Sequence, residues 1–182
     1  MDIMFWYVLF VKTGCEQKVV SEIEKIWTVE DMRPFIPTYD AKFRKFGKVI
    51  LEKHKLFPGY VFIESAITGT EFCKAIHPTI ERSKNVLKLL RYSRDYESDV
   101  SFQMKSSEKE TYSKLYSEDF CIKMSKGIIA GDLIKITDGP LVGHEALIRK
   151  VNRHKMQATV EIKLMGSLRN TTIGLEIVEK IL

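Results

Sequence analysis

At Phe57-Pro58-Gly59-Tyr60-Val61-Phe62-Ile63 the chain turns and then runs into apolar, strand-favouring residues. Proline and glycine punctuate, and Val61-Phe62-Ile63 reads as a buried strand. Upstream, Lys42 to Lys55 has Gly47 near its middle, as expected of a long hairpin that follows an extended segment begun at Phe35-Ile36-Pro37. Further upstream, Trp6 to Val11 is aromatic and β-branched. Gly14 breaks it, and Val19, Val20, Ile23, Ile26 and Trp27 follow at helical spacing. Downstream come a short helix over Glu71 to Ile76 and a strand over Val86 to Leu90. This alternation predicts an α+β domain, an antiparallel sheet with helices on one face.

Between Tyr92 and Glu118 apolar density falls and Ser, Glu and Lys dominate. Ser107 with Glu110 is a capping-box pattern, so a short exposed helix is expected to about Tyr116. Beyond it, short strands are expected at Phe120 to Met124, Leu133 to Thr137, Glu145 to Val151, Ala158 to Leu164 and Ile173 to Val178. Asp138-Gly139-Pro140, Gly143 and Met165-Gly166-Ser167 supply turns. Five short strands in so few residues suit a small barrel. The expected division is a first domain over 1–105, a linker with a short helix over 106–126, and a second domain over 127–182.

The chain has 182 residues, 45% of them hydrophobic, enough to bury a core. The apolar run Met4 to Val11 falls far short of the ~20 residues of a membrane helix. It has no basic residue before it, so neither a membrane span nor a secretory leader is expected, and the chain reads as cytoplasmic. Cys15, Cys73 and Cys121 are an odd, widely spaced set without the close pairs of zinc sites or disulfide frameworks, and read as reduced packing residues. The net charge of +5 is concentrated in two places. Lys42 to Lys55 holds six Lys/Arg and one acid, and so does Arg149 to Arg169. Two basic patches on a balanced background point to polyanion contacts.

Catalytic patterns are missing. His54, His77, His144 and His154 have no partners at ligand spacing, and His144-Glu145 is followed by Leu147 and Ile148 rather than a second histidine. No phosphate loop or dinucleotide fingerprint occurs. The reading is a non-enzyme that needs no metal and no cofactor.

Trp6-Tyr7-Val8, Gly14-Cys15-Glu16, Phe57-Pro58-Gly59-Tyr60-Val61-Phe62 and Gly131-Asp132 with Asp138-Gly139-Pro140-Leu141 stand in the order of the NusG family of transcription elongation factors, which the chain resembles over nearly its whole length. The resemblance implies an α+β NusG N-terminal (NGN) sandwich followed by a KOW domain, an SH3-like barrel. It implies a monomer whose first domain sits on the clamp helices of RNA polymerase and reduces pausing. Ala146 stands where the KOW pattern usually has glycine, and Met165 where the family has a phenylalanine that contacts NusE or Rho. The basic barrel is similar to that of the specialised LoaP branch, which antiterminates long operons and binds a hairpin in the nascent transcript.

From that resemblance, Trp6, Tyr7, Phe57 and Tyr60 would line one apolar depression against the clamp helices. Trp6 also reads as core, and Phe57, at a strand entrance, as an exposed contact. Lys42, Arg44, Lys45 and Lys48, interleaved with Phe43 and Phe46, read either as a solvated hairpin or as a finger on upstream or non-template DNA. Arg149, Lys150, Arg153, His154, Lys155, Lys163 and Arg169 read either as a polar barrel face or as an RNA-binding surface, with the turn helping because alternation cannot put them all on one face. The leading expectation is an antitermination factor with two binding surfaces. The alternatives are a general NusG factor coupling polymerase to ribosome or Rho, and a ribosome-associated KOW protein.

Overall fold

The computed structural model describes residues 3–28, 30–92 and 102–181. It divides into two compact units, residues 1–37 with 57–109 and residues 38–56 with 110–182. This differs from the expected boundaries: the basic hairpin groups with the C-terminal barrel. Part of the drop in apolar density, 93–101, lies outside the described residues.

The first unit is built on β1 (Phe5–Val11), β2 (Arg33–Phe35), β5 (Tyr60–Ser65) and β6 (Val86–Leu89), ordered β2-β5-β1-β6 with every pairing antiparallel. Alternation along β1 sends Tyr7, Leu9 and Val11 to one face, where they meet Val61 and Ile63 of β5. The same core takes Val19, Val20 and Ile23 from α1 (Glu16–Glu24) and Phe72 and Ile76 from α2 (Gly69–Arg82). The expected α+β arrangement with both helices on one face is thus present. Helix α2 is longer than expected and runs through Pro78, while α1 ends before Ile26, which stays exposed.

The second unit holds the hairpin of β3 (Thr38–Lys45) and β4 (Lys48–Lys55), whose register from Thr38↔Lys55 to Lys45↔Lys48 leaves the two-residue turn Phe46-Gly47. Both turn residues have positive φ, as a twist-matched hairpin turn requires. Strand β7 (Cys121–Ile122) pairs in parallel with β3, and Asp119 joins Lys53 and Lys123 in ion pairs at the hairpin base. These bonds hold the Asp119 carboxyl well below the usual carboxylate range, with Lys53 the main cause.

The barrel is a five-stranded sheet, β10 (Ile148–Asn152), β11 (Gln157–Leu164), β12 (Ser167–Ile181), β8 (Ser125–Ala130) and β9 (Leu133–Asp138), in that order. Two expected strands are corrected. The segment Phe120 to Met124 forms only β7, outside the barrel, and Ser125–Ala130 takes its place. Glu145–Leu147 is a 3-10 turn, because the Glu145 carboxylate bends back to accept the Ile136 N–H at 3.2 Å. Its own backbone N–H and those of Ile136 and Gly143 hold that carboxyl below its ordinary pKa.

Helix α3 (Ser106–Leu115) straddles the division, between Lys109 and Glu110. The helix starts ahead of the expected capping box: the Lys105 carbonyl accepts the Glu108 and Lys109 N–H groups, so Ser107 lies inside the first turn. Nor is the helix exposed all round, since Tyr112 and Leu115 are buried and the Tyr112 hydroxyl donates to the Lys163 carbonyl at 2.7 Å.

Candidate functional site

The Phe-Pro-Gly-Tyr turn is set by a buried acid. Glu16 is fully buried and its carboxylate accepts the Gly59 N–H at 2.7 Å and the Gly14 N–H at 2.9 Å. Two backbone donors compensate the charge that burial would otherwise penalise. Gly59 has φ +85°, and a Cβ there would lie 3.1 Å from Thr13 Oγ1 and 3.3 Å from the Val11 carbonyl oxygen. Turn, strand end and helix start are therefore fastened to one another, which explains structurally why these two motifs occur together.

The aromatic residues around this turn do not form the single depression expected. Adjacent residues of a strand face opposite sides. Trp6 points away from α1 and α2, to a cluster with Phe35 at 5.3 Å and Phe62 at 6.2 Å between ring centroids; Lys109 of α3 lies over its ring, and its indole N–H donates to Glu64. Tyr7 points into the helix-side core and stacks on Phe72 at 3.5 Å. Its hydroxyl donates to the Ile67 carbonyl and accepts the Gly69 N–H, and burial pushes its pKa up to about 12. The expected exposure of Phe57 is also corrected: it is only 5% exposed, near Phe62 and Tyr60. Tyr60 is partly exposed, against Phe10.

On the hairpin, Lys42 is bound to Glu176 at 2.6 Å. Lys45 and Lys48 are exposed and directly opposite each other, flanking Phe46, which is 93% exposed at the tip. Arg44 lies in β3 opposite Val49. Exposed Val49 and Leu51 share one face of the hairpin with Lys42 and Lys53, so apolar and cationic side chains alternate across the two strands.

The seven barrel residues separate. Arg149 is taken up by Glu161, with Nη2 at 2.8 Å and Nε at 3.2 Å, and also donates to the Ala146 carbonyl. Lys150 stands on β10 opposite Thr159, while Arg153, His154 and Lys155 occupy the exposed turn to β11. Lys163 lies near the far end of β11, about 20 Å from Gln157 at a strand rise of about 3.3 Å per residue. Arg169 pairs with Ile162, an inward position, so it and Lys163 belong to opposite faces. Only Lys150, Arg153, His154 and Lys155 come together, and among the described residues no carboxylate pairs with any of them. The turn itself is fixed: Asn152 Oδ1 accepts the Lys155 N–H at 3.0 Å, Met156 takes φ +52°, and the Met156 carbonyl accepts the Leu175 N–H. What sequence reading missed is Asn152, an asparagine just before a basic run, which is a recognisable turn signal.

Met165-Gly166 forms the β11–β12 turn, both with positive φ, and Met165 is buried. No cluster of three or more metal-binding side chains occurs among the described residues, and no helix is long and apolar enough to cross a membrane.

An α+β unit with a glycine turn held by a buried glutamate, and a five-stranded barrel with a basic turn, make this a chain of two modules. The profile described as "Transcription termination factor nusG" matches residues 4–112, and the KOW motif matches residues 130–163. The chain belongs to the NusG family. It is 25% identical over 177 residues to the transcription termination/antitermination protein NusG of Buchnera aphidicola, covering 94% of this chain and 92% of that one. It is also 25% identical to the Bacillus subtilis protein of the same name, covering 94% of each. A solved structure titled "Domain interaction in Thermotoga maritima NusG" shares the fold at a TM-score of 0.53 and 23% identity, over 96% of this chain and 94% of that one. These relatives support the family and add no support for the LoaP branch.

Proposed function

We propose that this chain is a transcription factor that binds RNA polymerase through its NGN residues and nascent RNA through the KOW turn Arg153-His154-Lys155 with Lys150, favouring readthrough of terminators. The observation that carries the RNA reading is the contrast between Arg149, neutralised by Glu161, and its neighbours, which have no acidic partner among the described residues. A fixed turn presenting uncompensated cations meets phosphates at little ordering cost. Lys163 and Arg169, on opposite faces at the other end of β11, would contribute to a second contact at most. On the polymerase side Tyr60 is the partly exposed member of the aromatic set, flanked by Phe57 and Phe10, while Trp6 and Tyr7 are core. The tip Lys45-Phe46-Lys48 suits exposed bases of upstream or non-template DNA, Phe46 stacking and the amines meeting phosphates.

Exchanging Lys150, Arg153 and Lys155 for glutamine should lower affinity for a hairpin RNA at least tenfold in a gel shift and leave polymerase binding unchanged, with about one unit of salt slope lost per phosphate contact. Unchanged RNA binding overturns the reading. A second reading, a general NusG factor acting with ribosome or Rho, is favoured by the name that the relatives share. It requires binding to isolated NusE or Rho through the Met165 hairpin.

A further inference from the structure

Beside the basic turn lies an open hollow of about 480 Å³, lined by Val151, Asn152, Arg153, His154 and Ile177. We infer that this hollow receives one unstacked nucleotide of an RNA, its base against Val151, Ile177 and His154 and its flanking phosphates on Arg153 and Lys155. The inference rests on the RNA reading above and makes it specific, because a duplex surface has no use for a concave site.

The volume falls in the usual range of small-ligand sites, about 300–1,000 Å³. None of the five lining residues is acidic, and the wall combines two half-buried aliphatic side chains with an exposed imidazole and guanidinium. That combination matches a base, which has an apolar face to cover, joined to a phosphate, which has charge to neutralise. Asn152 gives the site an edge. Its Oδ1 already accepts the Lys155 N–H, which fixes the orientation of the amide and leaves the Nδ2 donor without a partner among the described residues. A base edge with a carbonyl or ring-nitrogen acceptor would satisfy it. The turn is anchored to β12 through Leu175 N–H to the Met156 carbonyl, on the same strand as Ile177, so floor and rim are held together before any ligand arrives.

The test compares the full chain's affinity for single-stranded octauridylate and octaadenylate with that for a blunt RNA duplex carrying the same number of phosphates, by fluorescence anisotropy. At least one octamer should bind about tenfold or more tightly than the duplex, as expected when one base stacks. His154→Ala should weaken octamer binding severalfold more than duplex binding, and so remove that advantage. Val151 and Ile177 methyl resonances should move upfield with the octamer and not with the duplex, a ring-current signature that a change in overall stability does not produce. Equal binding of octamers and duplex with still methyl resonances overturns the nucleotide site and leaves the RNA reading standing. If neither RNA binds, the RNA reading itself fails and takes the site with it.

Discussion

Phe46-Gly47 and Met165-Gly166 are the same turn used in opposite ways. Each joins two antiparallel strands by two residues, with φ +52° and +76° in one and +49° and +80° in the other. Phe46 is 93% exposed, whereas Met165 is 6% exposed. Local sequence therefore sets the backbone, and the surroundings decide whether the large side chain is anchor or probe. The β3–β4 hairpin is held at its base, by Lys53 to Asp119 and by the Thr171 hydroxyl donating to the Leu56 carbonyl at 2.6 Å. The β11–β12 hairpin buries its tip.

The contrast breaks most visibly at the large residues. Met165→Ala should destabilise the fold by about 2–5 kcal/mol in urea unfolding, the usual cost of truncating a buried methionine. Phe46→Ala should stay within about 0.5 kcal/mol, as for a surface site. Comparable losses at the two positions would mean that the tip of the first hairpin is buried in solution. Smaller and more equal effects are expected at the glycines. Gly47→Ala and Gly166→Ala should each cost about 1 kcal/mol, since an L-residue pays to adopt positive φ. A marked inequality would show that the backbones are not equivalent.

The smallest effect concerns the hairpin base. Asp119 has a folded pKa below its unfolded value, so its contribution is present above the ordinary carboxylate range near pH 4 and is lost as pH falls through the folded value. Asp119→Asn should remove that part of the acid dependence measured by unfolding at a series of pH values. The change should be slight and weaken with salt, because the pair is about half exposed.

Much of the architecture was legible because it is periodic. Trp6 to Val11 and Val61 to Ile63 announce buried strands, and Val19, Val20 and Ile23 a helix face. The same period could have separated Trp6 from Tyr7, since neighbours on a strand cannot line one depression. Strand β8 escaped because its buried positions include Ser125 and Gly127, which carry no hydrophobic signal. The grouping of the basic hairpin with the barrel rests on non-local bonds to β12, Lys42 with Glu176 and the Thr171 hydroxyl with the Leu56 carbonyl, which leave no local pattern. Arg149 was read as one cation among several because its partner, Glu161, is brought near by a register shift between Ile148 and Lys150 that no composition reveals. The burial of Phe57 was missed for a similar reason: a position before Pro-Gly looks like a strand entrance, and only non-local packing covers it.

The pairing of Arg149 with Glu161 also has a counterion consequence. With that guanidinium already neutralised, Lys150, Arg153 and Lys155 remain around the turn without an acidic partner among the described residues, and a duplex seated on them would displace about three condensed cations, for a log–log slope near −2.7. A fourfold rise in monovalent salt would then weaken binding roughly fortyfold. The ionic content of the cell would thus set how long the factor dwells on a transcript.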